Sequence, residues 1–323
     1  MNSRQGVLQV LRHQLPDRVP VYEVLIDSPM VAQVLGIPGR NSWELPIAET
    51  VALHLKLGLD AVIFPLPCWR PAELRNTRIN PWKLTVPSTG MVEDAIARCD
   101  QLVNAAHAEG LAACAYCHGC FDVVYESLGF DHFMLMLYDD FAYVDEVTAC
   151  LHTFHMGVTA LALQTGIDWF LIGDDICFKS GLFIRPDMFY QLWFDREKAQ
   201  ATLVKTSGRP LEYHTDGALD PVLPYLLDLG VDLVNPVEPY SNDIFALKRQ
   251  YGDRIAFRGN VDIAGALAFG SPDAVYEETK NLVLNLKPGG NYVCSSSHSI
   301  SSAITERENY AALVCAVEDY GWY

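Results

Sequence analysis

Short apolar segments alternate with longer helical patterns along the whole chain. The apolar segments place hydrophobic residues side by side, which is typical of parallel strands that are buried on both faces. The predicted strands are Val19–Val24, Leu59–Phe64, Leu111–Tyr116, Ile167–Ile172, Pro210–Tyr213, Val231–Val234, Ile255–Phe257 and Tyr292–Cys294. The pattern therefore predicts eight strands separated by helical or loop segments.

Apolar residues recur at helical spacing between these strands, and most of the helical patterns end at or near a glycine. The predicted helices are Thr50–Leu57, Val92–Ala108, Pro186–Thr206, Asp220–Leu229 and Ser271–Leu286. Eight strand-then-helix units predict an α/β fold, a (β/α)8 TIM barrel. An open doubly wound sheet is the alternative, but no G-x-G-x-x-G follows the first predicted strand. No linker interrupts residues 1–323, which predicts a single domain, and Pro65–Pro87 predicts an elaborated loop over the barrel mouth.

Composition and charge narrow the class of protein. Half of the 323 residues are hydrophobic, which is enough for a sizeable core. The 23 Lys and Arg residues stand against 40 Asp and Glu residues, and the net charge of -17 disfavours nucleic acid and anionic lipid as partners. Nine scattered cysteines do not suggest a disulfide framework, and no stretch reaches the length of a membrane span. We expect a reduced, cytoplasmic protein.

Polar residues concentrate directly after the predicted strands. The active site of a TIM barrel lies at the carboxyl ends of its strands, so these side chains are expected at one mouth. They include Tyr22, Glu23, Tyr116, Asp174, His214, Asp216, Glu238, Asn260 and His298. So many ionisable groups predict an enzyme with a small-molecule substrate. A barrel that binds a ligand without turnover is the alternative.

His214 and Asp216 are the strongest candidates for catalysis. Residues two apart at the extended end of a strand point the same way. Together with His298 they could bind zinc and leave a coordination position open, or act as acid and base without a metal. Cys114–His118 matches the C-x-x-C-H haem pattern, but it falls on a predicted core strand, where packing explains it better. A zinc site at Cys117, His118 and Cys120 is a weaker alternative, since no second cysteine pair follows.

Several segments of the chain resemble the uroporphyrinogen decarboxylase superfamily. The segments that carry the resemblance are Ala256–Ala268 with G-N-V-D, Tyr292–Ile300 with S-H-S, Leu211–Pro236 with H-T-D-G, Gly119–Gly129 and Glu306–Tyr320. The resemblance implies a (β/α)8 barrel. It also matches Tyr125 to the family's tyrosine after the third strand, and His298 to its histidine after the eighth.

True uroporphyrinogen decarboxylases of this superfamily bind a polycarboxylate tetrapyrrole. They carry R-Q-A-G-R after the first strand and an aspartate after the second, whereas this chain has Tyr22–Ser28 and Phe64–Leu66 at those places. A polycarboxylate needs cations, and an acidic mouth would repel it. The acidic residues expected there are Glu23, Asp174, Asp175, Asp216 and Glu238. We therefore exclude uroporphyrinogen as the substrate.

The other branch resembles this chain more closely and contains corrinoid-dependent methyltransferases. These enzymes move a methyl group between a small substrate and a corrinoid (cobalamin-type) cofactor on a partner protein. Members that methylate thiols bind zinc through H-x-C and a later cysteine, where this chain has His214-Thr215-Asp216 and Ser297-His298. Harder nitrogen and oxygen ligands suit an oxygen-bound methyl group better, as in O-demethylation of a methoxy-aromatic compound.

We assign roles to the candidate residues on the basis of this resemblance and of their positions after the strands. We predict His214, Asp216, His298 and Asp174 as catalytic, with zinc bound by the first three. Substrate binding is predicted for Tyr22, Glu23, Tyr116, Tyr125, Glu238 and Asn260. Trp69 and Trp82 are predicted, with Tyr22 and Tyr116, as aromatic walls beneath a lid formed by Phe64–Trp82. The resemblance further implies a corrinoid protein as partner and a homodimer. The alternative is a metal-free decarboxylase or lyase for a small carboxylate, with Tyr125 and His298 as the working pair.

Overall fold

A seven-stranded parallel sheet forms the framework of the protein in a computed structural model that describes residues 1–301 and 306–323. The strands are β1 (Ala61–Pro65), β2 (Ala112–His118), β3 (Trp169–Gly173), β4 (Cys177–Phe178), β5 (Gly181–Leu182), β6 (Leu211–His214), β7 (Leu233–Asn235), β8 (Ala256–Val261) and β9 (Tyr292–Ser296). The sheet order is β1-β2-β3-β6-β7-β8-β9, while β4 and β5 form a separate antiparallel hairpin. The parallel strands confirm a TIM-barrel-like α/β fold.

Helices connect the strands. They are α1 (Ser3–Leu11), α2 (Ser28–Leu35), α3 (Ile47–Lys56), α4 (Thr89–Ala108), α5 (Phe121–Leu128), α6 (Phe130–Asp139), α7 (Phe141–Ala162), α8 (Pro186–Phe189), α9 (Asp195–Thr206), α10 (Leu223–Leu229), α11 (Ile244–Tyr251), α12 (Ala266–Phe269), α13 (Pro272–Leu286) and α14 (Arg307–Tyr320). The helix predicted over Pro186–Thr206 is interrupted by a π-helical turn at Tyr190–Phe194. Among the described residues, no helix combines the length and the apolar character needed to cross a membrane.

The first predicted strand, Val19–Val24, is the main correction to the fold. Val21 makes one parallel bridge with Cys294 of β9, and its carbonyl accepts the N–H of Asp60 at 2.7 Å, just before β1. The segment thus touches both edges of the sheet, but it forms no continuous ladder. Pro20 has no N–H to donate, and the Val21 N–H donates to the side chain of Asp60 instead of to a strand.

A small apolar cluster fills the space on one face of the strands. It contains Ala61, Ile63, Ala112, Cys114, Leu171, Leu233 and Val293, together with Val7, Val10 and Leu11 of α1. The Glu212 carboxylate lies fully buried and accepts hydrogen bonds from Tyr22 and from side chains of β3, β7 and β8. These bonds satisfy the buried charge within the protein.

The proline-rich loop after β1 lies against α5 and α7. The Tyr143 hydroxyl donates to the Ile79 carbonyl at 3.0 Å, and the Asn76 N–H donates to the Leu128 carbonyl at 3.1 Å. Trp69 is buried against Phe154, with ring centroids 5.7 Å apart. These contacts fix the loop to the helices.

Candidate active site

His214 lies at the carboxyl end of β6, where the neighbouring strand β7 fixes its orientation. The Nδ1 atom of His214 lies 2.7 Å from Oδ1 of Asn235. The amide nitrogen of Asn235 donates to Glu212 at 2.7 Å, so its oxygen faces the imidazole. Because Asn235 presents an acceptor, Nδ1 of His214 carries the hydrogen, and Nε2 keeps its lone pair for another partner.

Two carboxylates approach this lone pair. His214 Nε2 lies 4.0 Å from Asp175 Oδ1 and 3.9 Å from Asp216 Oδ1. The backbone N–H of Asp216 donates to Asp175 at 3.1 Å and holds the two residues together. One donor atom from each of the three residues lies within 4.8 Å of the others. Asp216 Oδ1 is buried and has no hydrogen-bond partner among the described residues, so the cluster contains an acceptor that this part of the chain does not satisfy.

His298 joins the same cluster from the segment after β9. Its Nε2 lies 3.3 Å from Asp216 Oδ2, and 43% of its side chain is exposed. The hydrogen bond to Asp216 raises the pKa of His298 to about 9. Burial favours a higher pKa for Asp216, but the hydrogen bond from the charged His298 brings it below its ordinary value. The structure therefore brings the predicted residues His214, Asp216 and His298 together.

Asp175 belongs to this cluster although the sequence prediction of site residues omitted it. It directly follows Asp174 at the end of β3, and only the structure shows which of the two faces His214. Glu238 lies nearby, where it accepts the Gly217 N–H at 2.7 Å. Burial, together with the charge of Asp216, raises the pKa of Glu238.

The structure places Asp174 behind the mouth. Its two oxygens accept the N–H groups of Phe121 at 2.9 Å and Asp122 at 2.6 Å, which are unsatisfied donors at the start of α5. Burial and the charge of Glu197 raise the pKa of Asp174 well above its ordinary range. Asp174 thus fixes the position of α5.

Tyr22, Glu23 and Asn260 are also held by contacts within the protein. Glu23 is buried and accepts both the N–H of Ser296 at 2.9 Å and the hydroxyl of Tyr310 at 3.1 Å. The Tyr22 hydroxyl donates to Glu212 at 3.1 Å, and the Asn260 amide donates to the Val237 carbonyl. These contacts engage the three side chains within the protein.

A second polar cluster lies at the carboxyl end of β2. His118 Nδ1 lies 2.9 Å from Asp122 and 3.3 Å from the hydroxyl of Tyr116. Arg70 reaches this cluster from the loop after β1 and forms ion pairs with Asp122 at 3.2 Å and Glu126 at 2.5 Å. The sequence prediction missed Arg70, because its loop carries no periodic pattern that would fix its position.

Four aromatic side chains form what we call the aromatic rim: Tyr125, Phe130, Phe178 and Phe183. The Phe183 ring lies 6.0 Å from Tyr125, 5.7 Å from Phe130 and 6.0 Å from Phe178. The Phe178 carbonyl accepts the Ala218 N–H at 3.0 Å, which ties the β4–β5 hairpin to the segment after His214. Of the four residues only Tyr125 was predicted. The positions of Phe178 and Phe183 on either side of a glycine-containing turn are the one signal that could have indicated the others.

Comparisons with known proteins agree with this architecture. The sequence model of the uroporphyrinogen decarboxylase family matches residues 83–320, well over half of the chain. A methyltransferase from Methanosarcina mazei has a similar structure, with a TM-score of 0.80, 19% identity and coverage of 99% of both chains. An endo-1,4-beta-mannanase from Rhizomucor miehei has a TM-score of 0.55 at 8% identity and covers 88% of this chain and 96% of its own. No curated protein sequence matches the chain.

Proposed function

Since the chain belongs to the uroporphyrinogen decarboxylase family, we propose that it is an enzyme of the branch that transfers methyl groups. In this proposal a small methylated compound, with methoxy-aromatics as the first candidates, gives its methyl group to a reduced corrinoid on a partner protein. The observation that carries the proposal is the convergence of His214 Nε2 with the nearest oxygens of Asp175 and Asp216. The Methanosarcina mazei methyltransferase, similar in structure over its whole length, supports the same class of reaction.

The donor atoms of this cluster fit a zinc ion. One imidazole nitrogen and two carboxylate oxygens are ordinary zinc ligands, and three protein ligands leave a position open for substrate. Asn235 holds His214 as an outer partner holds a zinc-bound histidine, and Asp216 Oδ1 has no hydrogen-bond partner within residues 1–301 and 306–323. We propose Asp175, His214 and Asp216 as the ligands, so that Asp175 takes the place first assigned to His298. When bound, zinc would polarise the oxygen that carries the methyl group.

The remaining residues act around this cluster. Asn235 holds the His214 ring in one tautomer. His298 in its charged form carries a hydrogen on each ring nitrogen. Asp216 accepts one of them, and a backbone hydrogen bond to Ser299 further supports the charged form of the ring. Glu238 is held by the Gly217 N–H and bounds the mouth on the side of Asp216.

Methyl transfer from a methoxy-aromatic to a reduced corrinoid protein tests the proposal, because the corrinoid changes its absorption spectrum when it is methylated. We expect His214→Ala to lower the rate at least about 100-fold. His13→Ala is the matched control: its imidazole lies 3.1 Å from Asn291, before β9, at the opposite end of the strands. Equal rates for wild type and His214→Ala would contradict the proposed site.

Chelation of metal ions distinguishes the proposed methyltransferase from the alternative, a decarboxylase or lyase. That reaction would release carbon dioxide from a small carboxylate and would keep its full rate after exhaustive chelation. Methyl transfer that chelation abolishes, and that zinc restores, would support the methyltransferase.

A further inference from the structure

We infer that the methyl donor is an uncharged methoxy-aromatic compound whose ring lies against the aromatic rim. Methoxybenzoates, which carry a carboxylate, are therefore not substrates. This inference rests on the proposed function and names the substrate class of the same site. Two observations carry it: the continuous aromatic surface beside the His214 cluster and the excess of negative charge around the mouth.

The aromatic rim offers a surface for a planar ring. Phe178 and Phe130 are exposed, and the rings of Phe183 and Tyr125 that contact them are partly buried against the core. Burial and the charges of Asp122 and Asp175 raise the pKa of Tyr125, so its phenol stays uncharged. The influence of both carboxylates also means that Tyr125 lies near them. Aromatic rings prefer offset or edge-to-face contacts at centroid distances of about 4.5–7 Å. A methoxybenzene ring can add to this rim while its methoxy group points toward the His214 cluster.

The charges around the mouth disfavour a donor with a carboxylate. Five carboxylates lie around it: Asp122, Glu126, Asp175, Asp216 and Glu238. Among the described residues, Arg70 and His298 are the cations around the mouth, beside the imidazoles of His118 and His214, so the balance is five negative charges against two positive ones. A divalent metal ion would still leave an excess of one negative charge. A carboxylate on the donor would lose its hydration and enter a field of its own sign.

Arg70 is the residue that could have bound a substrate carboxylate, but it is already neutralised. Its Nε pairs with Glu126 at 2.5 Å and its NH2 with Asp122 at 3.2 Å. Bidentate recognition of a carboxylate needs two N–H groups of the same guanidinium. Glu126, with 45% of its side chain exposed, occupies the outer partner position. Removal of the Glu126 charge should therefore release Arg70 toward a carboxylated donor.

Calorimetric titration of the full chain with a matched pair of ligands tests the inference. The pair is 3,4-dimethoxybenzyl alcohol and 3,4-dimethoxybenzoate, which share the ring and both methoxy groups and differ in charge. We expect the alcohol to bind at least about tenfold more tightly than the benzoate. We expect Phe183→Leu to weaken binding of the alcohol about threefold to tenfold. We expect Glu126→Gln to tighten binding of the benzoate at least about threefold while binding of the alcohol stays the same.

Equal or tighter binding of the benzoate by wild type would overturn the inference, as would unchanged binding of the alcohol by Phe183→Leu. Phe178→Leu at the exposed tip of the hairpin provides the same test if Phe183→Leu does not fold. The assay contains no corrinoid. Binding as expected without methyl transfer would contradict the proposed function and leave the binding preference standing. Methyl transfer from a non-aromatic donor, with neither ligand bound, would contradict the inference alone.

Discussion

Glu212 and Asp216 are two carboxylates at equal distances along the chain from His214, and their surroundings differ sharply. Glu212 is fully buried and accepts four hydrogen bonds, from Tyr22 at 3.1 Å, Trp169 at 2.7 Å, Asn235 at 2.7 Å and Arg258 at 2.8 Å. Asp216 contacts His298 through one oxygen, while its other oxygen is buried and has no hydrogen-bond partner in the part of the chain that the structure describes. The protein satisfies the first carboxylate and leaves the second able to accept a ligand. The comparison separates a residue that maintains the fold from one that serves the site.

The largest effect is expected at Glu212, the carboxylate whose hydrogen bonds are all made within the protein. Glu212→Gln removes the charge that faces Arg258, whose side chain is only 2% exposed. A buried charge that loses its partner costs about 3–5 kcal/mol, so the free energy of unfolding should fall by that amount. Urea denaturation of wild type and variant measures it. A loss below about 1 kcal/mol would show that Glu212 is not a structural anchor.

The next largest effect is the pH dependence of stability that arises from His54, a histidine buried in its neutral form. His54 is buried, its Nδ1 lies 2.7 Å from the Thr50 carbonyl, and burial lowers its pKa to about 4. Between pH 6.5 and 4 the unfolded state therefore takes up a proton that the folded state does not, and stability falls as the pH falls. Relative to His54→Gln, wild type should lose up to about 3 kcal/mol across this window. Parallel pH profiles of the two proteins in urea would contradict the burial of a neutral His54.

A smaller effect is expected at Asn235, which links Glu212 to His214. Asn235 donates to Glu212 and accepts from His214, so Asn235→Ala frees the imidazole to rotate. Loss of such an outer partner weakens metal binding about 10-fold to 100-fold. Competition with a chromogenic chelator measures the zinc affinity. Asn285→Ala, on the exposed face of α13, is the control and should bind zinc like wild type. Equal affinity for Asn235→Ala would remove Asn235 from the site.

The smallest effect on stability is expected at Asp216. Its contact with the partly exposed His298 is an ion pair near the surface, and such pairs contribute about 0–1 kcal/mol. Asp216→Asn should therefore change the free energy of unfolding by less than about 1 kcal/mol, although it removes a proposed ligand. Urea denaturation of this variant beside Glu212→Gln sharpens the comparison directly. A loss as large as that of Glu212→Gln would place Asp216 among the structural residues.

The sequence predicted the strands that carry the site, because buried parallel strands leave a strong apolar signal. It also indicated that His214, Asp216 and His298 would meet, since each directly follows such a strand. The segment Val19–Val24 has the same apolar signal, but Pro20 and the bond from Val21 to Asp60 prevent a ladder. A hydrophobic pattern does not show where the backbone hydrogen bonds of a segment go.

The sequence pattern did not predict the positions of side chains that loops carry to the site. Arg70 and Phe183 reach the mouth through a loop and a short hairpin, and neither has a period that fixes its direction. Asp174 and Asp175 are neighbours at one strand end, yet one binds the start of α5 and the other faces His214. The choice between them depends on where α5 begins, which the sequence did not indicate.

The zinc content of the purified full chain tests the central claim most directly, namely that the unsatisfied Asp216 oxygen and His214 belong to a metal site. Elemental mass spectrometry of wild type, His214→Ala and His13→Ala gives the answer without any assumption about the substrate. We expect about one zinc ion per chain in wild type and His13→Ala, and its loss in His214→Ala. Zinc retained by His214→Ala, or no zinc bound by wild type after incubation with the ion, would contradict the claim.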